Sequence, residues 1–147
     1  MPPRMPRGEA PAYSLRRVVE TGLRTLVTAI LVNIAISLVG KFIFDVPFLL
    51  PRSGAMQLEP LPIFNVIAAT VVGVLGATAV FAIIAHFSKN PGKIFGIVAT
   101  VVLIVTFLGP RTLPVGVGSV TKAWLMIMHV AAWASITIPL VKKSREF

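Results

Sequence analysis

Four apolar runs divide the chain, at about Arg24–Phe44, Ile63–Ser88, Ile94–Leu108 and Ala123–Val141. A helix needs roughly 20 apolar residues to cross about 30 Å of hydrocarbon. The second run exceeds that length and is expected to tilt. The third is short and must recruit Lys93 and Gly109 at its ends. The runs are unbroken, without the period-2 alternation of a transmembrane barrel. The pattern therefore predicts an all-α, integral membrane four-helix bundle over residues 14–143, with helices at 24–44, 63–88, 94–108 and 123–141. Ser14 is placed to cap a short helix, SLRRVVETG, that leads into the first span. Residues 1–13 form a basic segment whose first ten residues hold three prolines, and disorder is expected there. Residues 144–147 are a short tail.

Composition agrees with this class. Of 147 residues, 56% are hydrophobic and 13% charged, against about 25% charged in soluble domains. Mean hydropathy is +0.89. A small soluble domain keeps too much surface in water to hide so much apolar side chain. The net charge of +9 would suggest nucleic acid in a soluble protein. Here the charge flanks the apolar runs, and orientation at an anionic leaflet explains it without nucleic acid. Arg4, Arg7, Arg16, Arg17, Arg24, Lys89, Lys93, Lys142, Lys143 and Arg145 fall on one side. Lys41, Arg52, Arg111 and Lys122 fall on the other. The excess predicts both termini in the cytoplasm, the first helix as an uncleaved anchor, and Trp124 at the outer interface.

The loops differ in character. Lys89–Gly92 reads as a tight turn, with Pro91 fixing φ and Gly92 in the left-handed position. The segment at about Asp45–Pro62 holds four prolines and the apolar Phe48, Leu49, Leu50 and Met56. It is expected on the membrane surface or over the bundle. No internal repeat marks an inverted-repeat transporter.

Helices in lipid associate through small residues and interhelical hydrogen bonds. On the second helix Asn65, Ala69, Gly73, Gly76 and Ala77 share a face, which predicts a helix-packing stripe within the bundle or in a homo-oligomer. Gly96, Ala99 and Thr100 form a weaker stripe on the third. Ala29, Asn33, Ser37 and Gly40 share a face of the first; Met126, His129, Trp133 and Thr137 share one of the fourth. Polar groups are unfavourable against lipid, so these faces should look inward. At about 1.5 Å per residue, Asn33, Thr100 and His129 fall within about 5 Å of the midplane. With Ser37 and Trp133 they form the expected polar cluster, which is either a packing lock or a small-ligand site.

Much chemistry is set aside. Cysteine is absent, which removes disulfides, thiolate metal sites and cysteine nucleophiles. Glu9, Glu20, Asp45, Glu59 and Glu146 all lie outside the apolar runs, whereas ion-coupled transporters place acids within the membrane. His86 and His129 are separated by roughly 20 Å along the bundle axis. A metal with nitrogen bonds near 2 Å needs its two ligands about 4 Å apart, so one chain cannot form a bis-histidine site. No nucleophile elbow, Walker loop or His-Glu-x-x-His motif is present. The reading has no catalytic residue, metal or cofactor, with the bilayer as the first partner.

Val32-Asn33, the run Ala68–Gly73 continuing to Phe95 past a short basic turn, and Leu125–His129 followed by small residues and Pro139 carry a resemblance. Over about residues 20–142 the chain resembles small four-helix bacterial membrane proteins grouped as a domain of unknown function, from actinobacteria and their relatives. It departs in a longer first external loop and in Thr106-Phe107, where a more serine-like end is expected. The resemblance implies a bacterial inner-membrane location and assigns no activity. Three readings follow: a non-enzymatic structural or accessory protein with a membrane-protein partner or a second copy; a carrier or channel for a neutral or apolar solute; and a cofactor or quinone binder through His129.

Overall fold

A computed structural model describes residues 14–51 and 57–144. The elements are α1 (Leu15–Ile43), β1 (Leu49–Pro51), β2 (Leu58–Pro60), α2 (Ile63–Phe87), α3 (Pro91–Thr106), α4 (Leu108–Thr112) and α5 (Ser119–Lys143). Residues 1–13, 52–56 and 145–147, and with them the expected disorder and the position of Met56, lie outside the described residues. Four helical stretches are long and apolar enough to cross a membrane: α1, α2, α5, and α3 continued through α4. The chain is a four-helix membrane bundle.

One end of the bundle holds the start of α1, the α2–α3 turn and the end of α5; we call it the terminal end. The other holds the β-hairpin and is the hairpin end. Ser14 is the N-cap residue of α1, without a side-chain cap bond. The leading helix and the first span are one continuous helix of 29 residues, about 44 Å long by helix rise. That exceeds the hydrocarbon, so the first turns, with Arg16 and Glu20 paired at 2.8 Å, project beyond it. The third span is extended at both ends. It runs from Pro91 to Thr112 with a break at Phe107, and Pro110 lacks the N–H that would bond back to Thr106.

The α2–α3 turn is tighter than expected. Pro91 occupies the first turn of α3, and Asn90 N–H bonds to Ser88 Oγ at 3.0 Å. Gly92 is not left-handed but helical. Its missing side chain admits Ser144, whose Oγ a Cβ at position 92 would overlap.

α1 packs along both α2 and α5, and α3 packs chiefly on α5. One buried cluster, toward the terminal end, joins Val18, Ala29, Val74, Phe81, Phe95 and Leu140. Here α3 meets α2 through Phe95, edge-on to Phe81 at 5.2 Å between ring centroids. A second cluster, at the hairpin end, joins Val46, Phe48, Val66 and Met128. The first loop thus lies over the bundle as an antiparallel hairpin, with Leu50 opposite Glu59. Asp45 and Phe48 take positive φ at the chain reversal after α1, 50° and 43°. Asp tolerates that region. Phe48 is held there by burial and by Leu61 N–H, which bonds to its carbonyl at 2.9 Å. Trp124 does not sit free at the interface. Its Nε1–H donates to Ile36 O at 3.0 Å, and its ring lies against Phe44. Gly40 permits this approach, because a Cβ there would overlap the indole.

Candidate ligand-binding cavity

Between the two buried clusters lies a cavity of about 560 Å³. Its walls come from α2, α3 and α5, with Asn33 of α1 as floor and Leu50 and Leu61 of the hairpin segment at one end. The size is that of a small-molecule site. Along α2 the lining runs from Asn65 to Val80, about 22 Å by helix rise. The lining is mostly apolar and, among the described residues, includes no Lys, Arg, Asp or Glu. The exposed lining positions, Gly73, Gly76 and Val102 among them, belong to α2 and α3. The cavity therefore opens sideways between these two helices, where a bilayer would present acyl chains.

The small-residue stripe forms this wall. Asn65, Ala69, Gly73, Gly76 and Ala77 all line the cavity, and a Cβ at Gly73 or Gly76 would meet nothing within 4 Å. The expected packing of this stripe within the chain is thus corrected at both glycines. The face of α2 that does pack carries Val66, Thr70, Val74, Phe81 and Ala85, rotated from the stripe by about 100°, one residue on a helix. Thr70 and Thr78 sit at such packed positions because their hydroxyls bond to their own helix, at Val66 O and Val74 O. A Cβ at Gly96 would lie 3.8 Å from Val141 Cγ2, an ordinary contact.

The polar cluster is partly assembled. Asn33 is 5% exposed and lines the cavity. Its Nδ2 donates to Thr70 Oγ1 at 2.9 Å, while that hydroxyl donates to Val66 O at 2.7 Å. A hydroxyl has one proton, so Thr70 can only accept from the amide. This fixes the amide nitrogen toward Thr70 and leaves Oδ1 buried without a hydrogen-bond partner among the described residues. His129 also lines the cavity, with Nδ1 at 2.7 Å from Leu125 O. A carbonyl only accepts, so Nδ1–H is the donor of that bond. Trp133 lines the same space, and its Nε1–H is buried without a partner among the described residues.

Two members fall outside. Thr100 is exposed on the outer face of α3, its hydroxyl donating to Gly96 O at 2.8 Å. That internal bond removes the penalty that was expected to turn it inward. Ser37 is half-buried and does not line the cavity; neither does Met126. Sequence reasoning passed over Thr70 as a partner for Asn33, and Phe95 and Met128 as lining, while Thr137, on the face of the fourth helix read as inward-looking, does line the cavity. Counting from the shared hairpin end of α1 and α2 would have found Thr70, since it and Asn33 lie at about 10 and 15 Å depth.

Comparison with curated proteins and with solved structures gives no match. A family model described as a family of unknown function, DUF6069, matches residues 13–146. The match spans every helix that builds the cavity, and the chain belongs to this family.

Proposed function

We propose that this protein is a non-enzymatic membrane protein that holds a membrane-soluble, uncharged small molecule in the cavity between α2, α3 and α5, in the manner of a carrier. The single observation that carries this is the cavity itself: about 560 Å³ between the membrane-spanning helices, mostly apolar, open sideways and, among the described residues, lined by no Lys, Arg, Asp or Glu. A solute already dissolved in the bilayer could enter between α2 and α3 without crossing water.

An accessory role, with a partner's helix seated against Gly73 and Gly76, is the second reading, favoured by the open space at both glycines. The cavity floor weighs against it. A transmembrane helix satisfies its own backbone groups, so it offers Asn33 Oδ1 a donor only through a side chain of its own. Positive charge supports a cytoplasmic position for the terminal end, by ten Lys and Arg against four. An inner-membrane location accords with this orientation.

Native mass spectrometry of the protein released from mild detergent tests the proposal, with Gly73→Leu/Gly76→Leu as the filled-cavity variant. The expected result is a bound small molecule on the wild type that the double variant lacks. A wild type without any adduct, or an adduct that survives filling, would overturn the reading. A dimer that the double variant abolishes would establish the accessory role instead.

A further inference from the structure

We propose that the cavity recognises a neutral head group carrying at least one hydroxyl donor and one acceptor oxygen, on an apolar tail, with Asn33 Oδ1 receiving the hydroxyl. This rests on the cavity reading above and adds the chemistry of the head. Three observations meet here. Asn33 is buried, lines the cavity and has its amide locked by Thr70, so the atom left over is an acceptor and not a donor. That acceptor, Oδ1, is unpartnered among the described residues, as is the donor Trp133 Nε1–H on the facing helix. Finally, among the described residues the lining contains no Lys, Arg, Asp or Glu.

Each observation removes a class of ligand. An ionised head would find no Lys, Arg, Asp or Glu among the described lining residues, at a depth where isolated charge is strongly unfavourable. A pure hydrocarbon would leave both Oδ1 and Nε1–H unsatisfied. A head with only carbonyl or ether oxygens could accept from Trp133 and would leave Asn33 facing a second acceptor. A hydroxyl with a neighbouring ester or hydroxyl oxygen satisfies both. Counted from the hairpin end, Asn33 and His129 lie at equal depth, about 15 Å in, and Trp133 about 6 Å deeper. The hydroxyl and the acceptor oxygen of the head therefore serve groups about one helical turn apart in depth, as the separate oxygens of a small group such as an acylglycerol can. The tail extends along Gly73 and Gly76 toward the opening between α2 and α3.

The test uses the full chain in phosphatidylcholine nanodiscs and three probes of equal tail: 1-oleoylglycerol, its 2,3-dimethyl ether, and oleate. Binding is read by retention in native mass spectrometry and by competition. Wild type should prefer the glycerol over the ether by about tenfold, the value of one hydrogen bond of about 1.4 kcal/mol, and should exclude oleate. Asn33→Leu should bind glycerol and ether equally. It should fold, because Thr70 keeps Val66 O as its partner; if it does not, Asn33→Ala replaces it. Trp133→Phe should weaken both probes alike and leave their ratio unchanged. Equal binding of glycerol and ether by wild type, or a preference that survives the loss of Asn33, would overturn the head-group assignment while leaving the cavity reading standing. Failure of wild type to retain any probe would overturn both.

Discussion

Alanine substitution at five glycines separates cavity from contact by the sign of the stability change. Glycine in a helix interior is less favourable than alanine by about 0.8–1.0 kcal/mol. At Gly73 and Gly76 a new methyl meets nothing within 4 Å, so the substitution should be stabilising by up to about 1 kcal/mol. At Gly22 the same methyl would lie 2.6 Å from both γ atoms of Thr78. Normal carbon contacts are about 3.5–4.0 Å, and rotation of Thr78 exchanges one obstructing atom for the other. Overpacking of this kind costs about 1–3 kcal/mol; the helix gain offsets about 1. Gly40 should suffer more. Its methyl would overlap the Trp124 indole and endanger the bond from Nε1–H to Ile36 O, so a net loss of about 1–3 kcal/mol is expected. Gly92 faces Ser144 in the same way. The spread between Gly76→Ala and Gly40→Ala should thus be about 2–4 kcal/mol. Unfolding in mixed dodecyl maltoside–SDS micelles measures it. If Gly76→Ala were as damaging as Gly40→Ala, something would be packed on Gly76, and the cavity would be an interface with another helix.

Three further outcomes follow from particular contacts. Thr100→Val should leave stability unchanged within about 0.5 kcal/mol, because the lost hydroxyl served only its own helix; a large loss in the same micelle titration would place Thr100 at a contact. Trp124→Phe should destabilise by about 1 kcal/mol through loss of the bond to Ile36 O, and it should raise hydrogen exchange in the hairpin before it does so in α3. Because the chain has no cysteine, Lys89→Cys and Val115→Cys give clean labels at opposite ends. An impermeant maleimide should reach Val115→Cys in intact cells and Lys89→Cys only after permeabilisation, and the reverse pattern would invert the proposed orientation.

The spans were legible because hydrophobic run length answers one question, whether a helix can cross the hydrocarbon. What the runs do not encode is rotation. α2 is apolar on every side, so hydropathy gives no preferred face, and the small residues became the sole cue. Small residues permit close approach, but they equally leave room. Here α1 took the neighbouring face, with Thr70 and Thr78 at the crossing, and the glycines were left to shape a wall. The hairpin was hidden for another reason: its strands are three residues each, too short for alternation to register. The tryptophan at the edge of the fourth run has the composition of an interfacial anchor, yet a glycine 84 positions earlier opened an inner seat for it.

Hydrogen bonding explains why the polar cluster was half found. Asn33, His129 and Thr100 share a depth, and depth can be counted from sequence. Their facing directions depend on what each can satisfy alone. A threonine hydroxyl reaches the carbonyl one turn back, so Thr100 can face lipid. His129 spends one nitrogen the same way, on Leu125 O, and keeps the other. Within the helical part of α1, the amide of Asn33 has two ends to satisfy and finds only Thr70 across the interface. With Trp133, whose Nε1–H is also unpartnered among the described residues, it is a member of the cluster that packing alone leaves incomplete. A chain selected only to hold four helices together would be expected to bear Leu or Thr at this position, since either removes the orphaned acceptor without disturbing the bond from Thr70 to Val66. That Asn33 stands there, against a cavity that an unpartnered indole also lines, is the physical reason to look for a ligand with a hydroxyl.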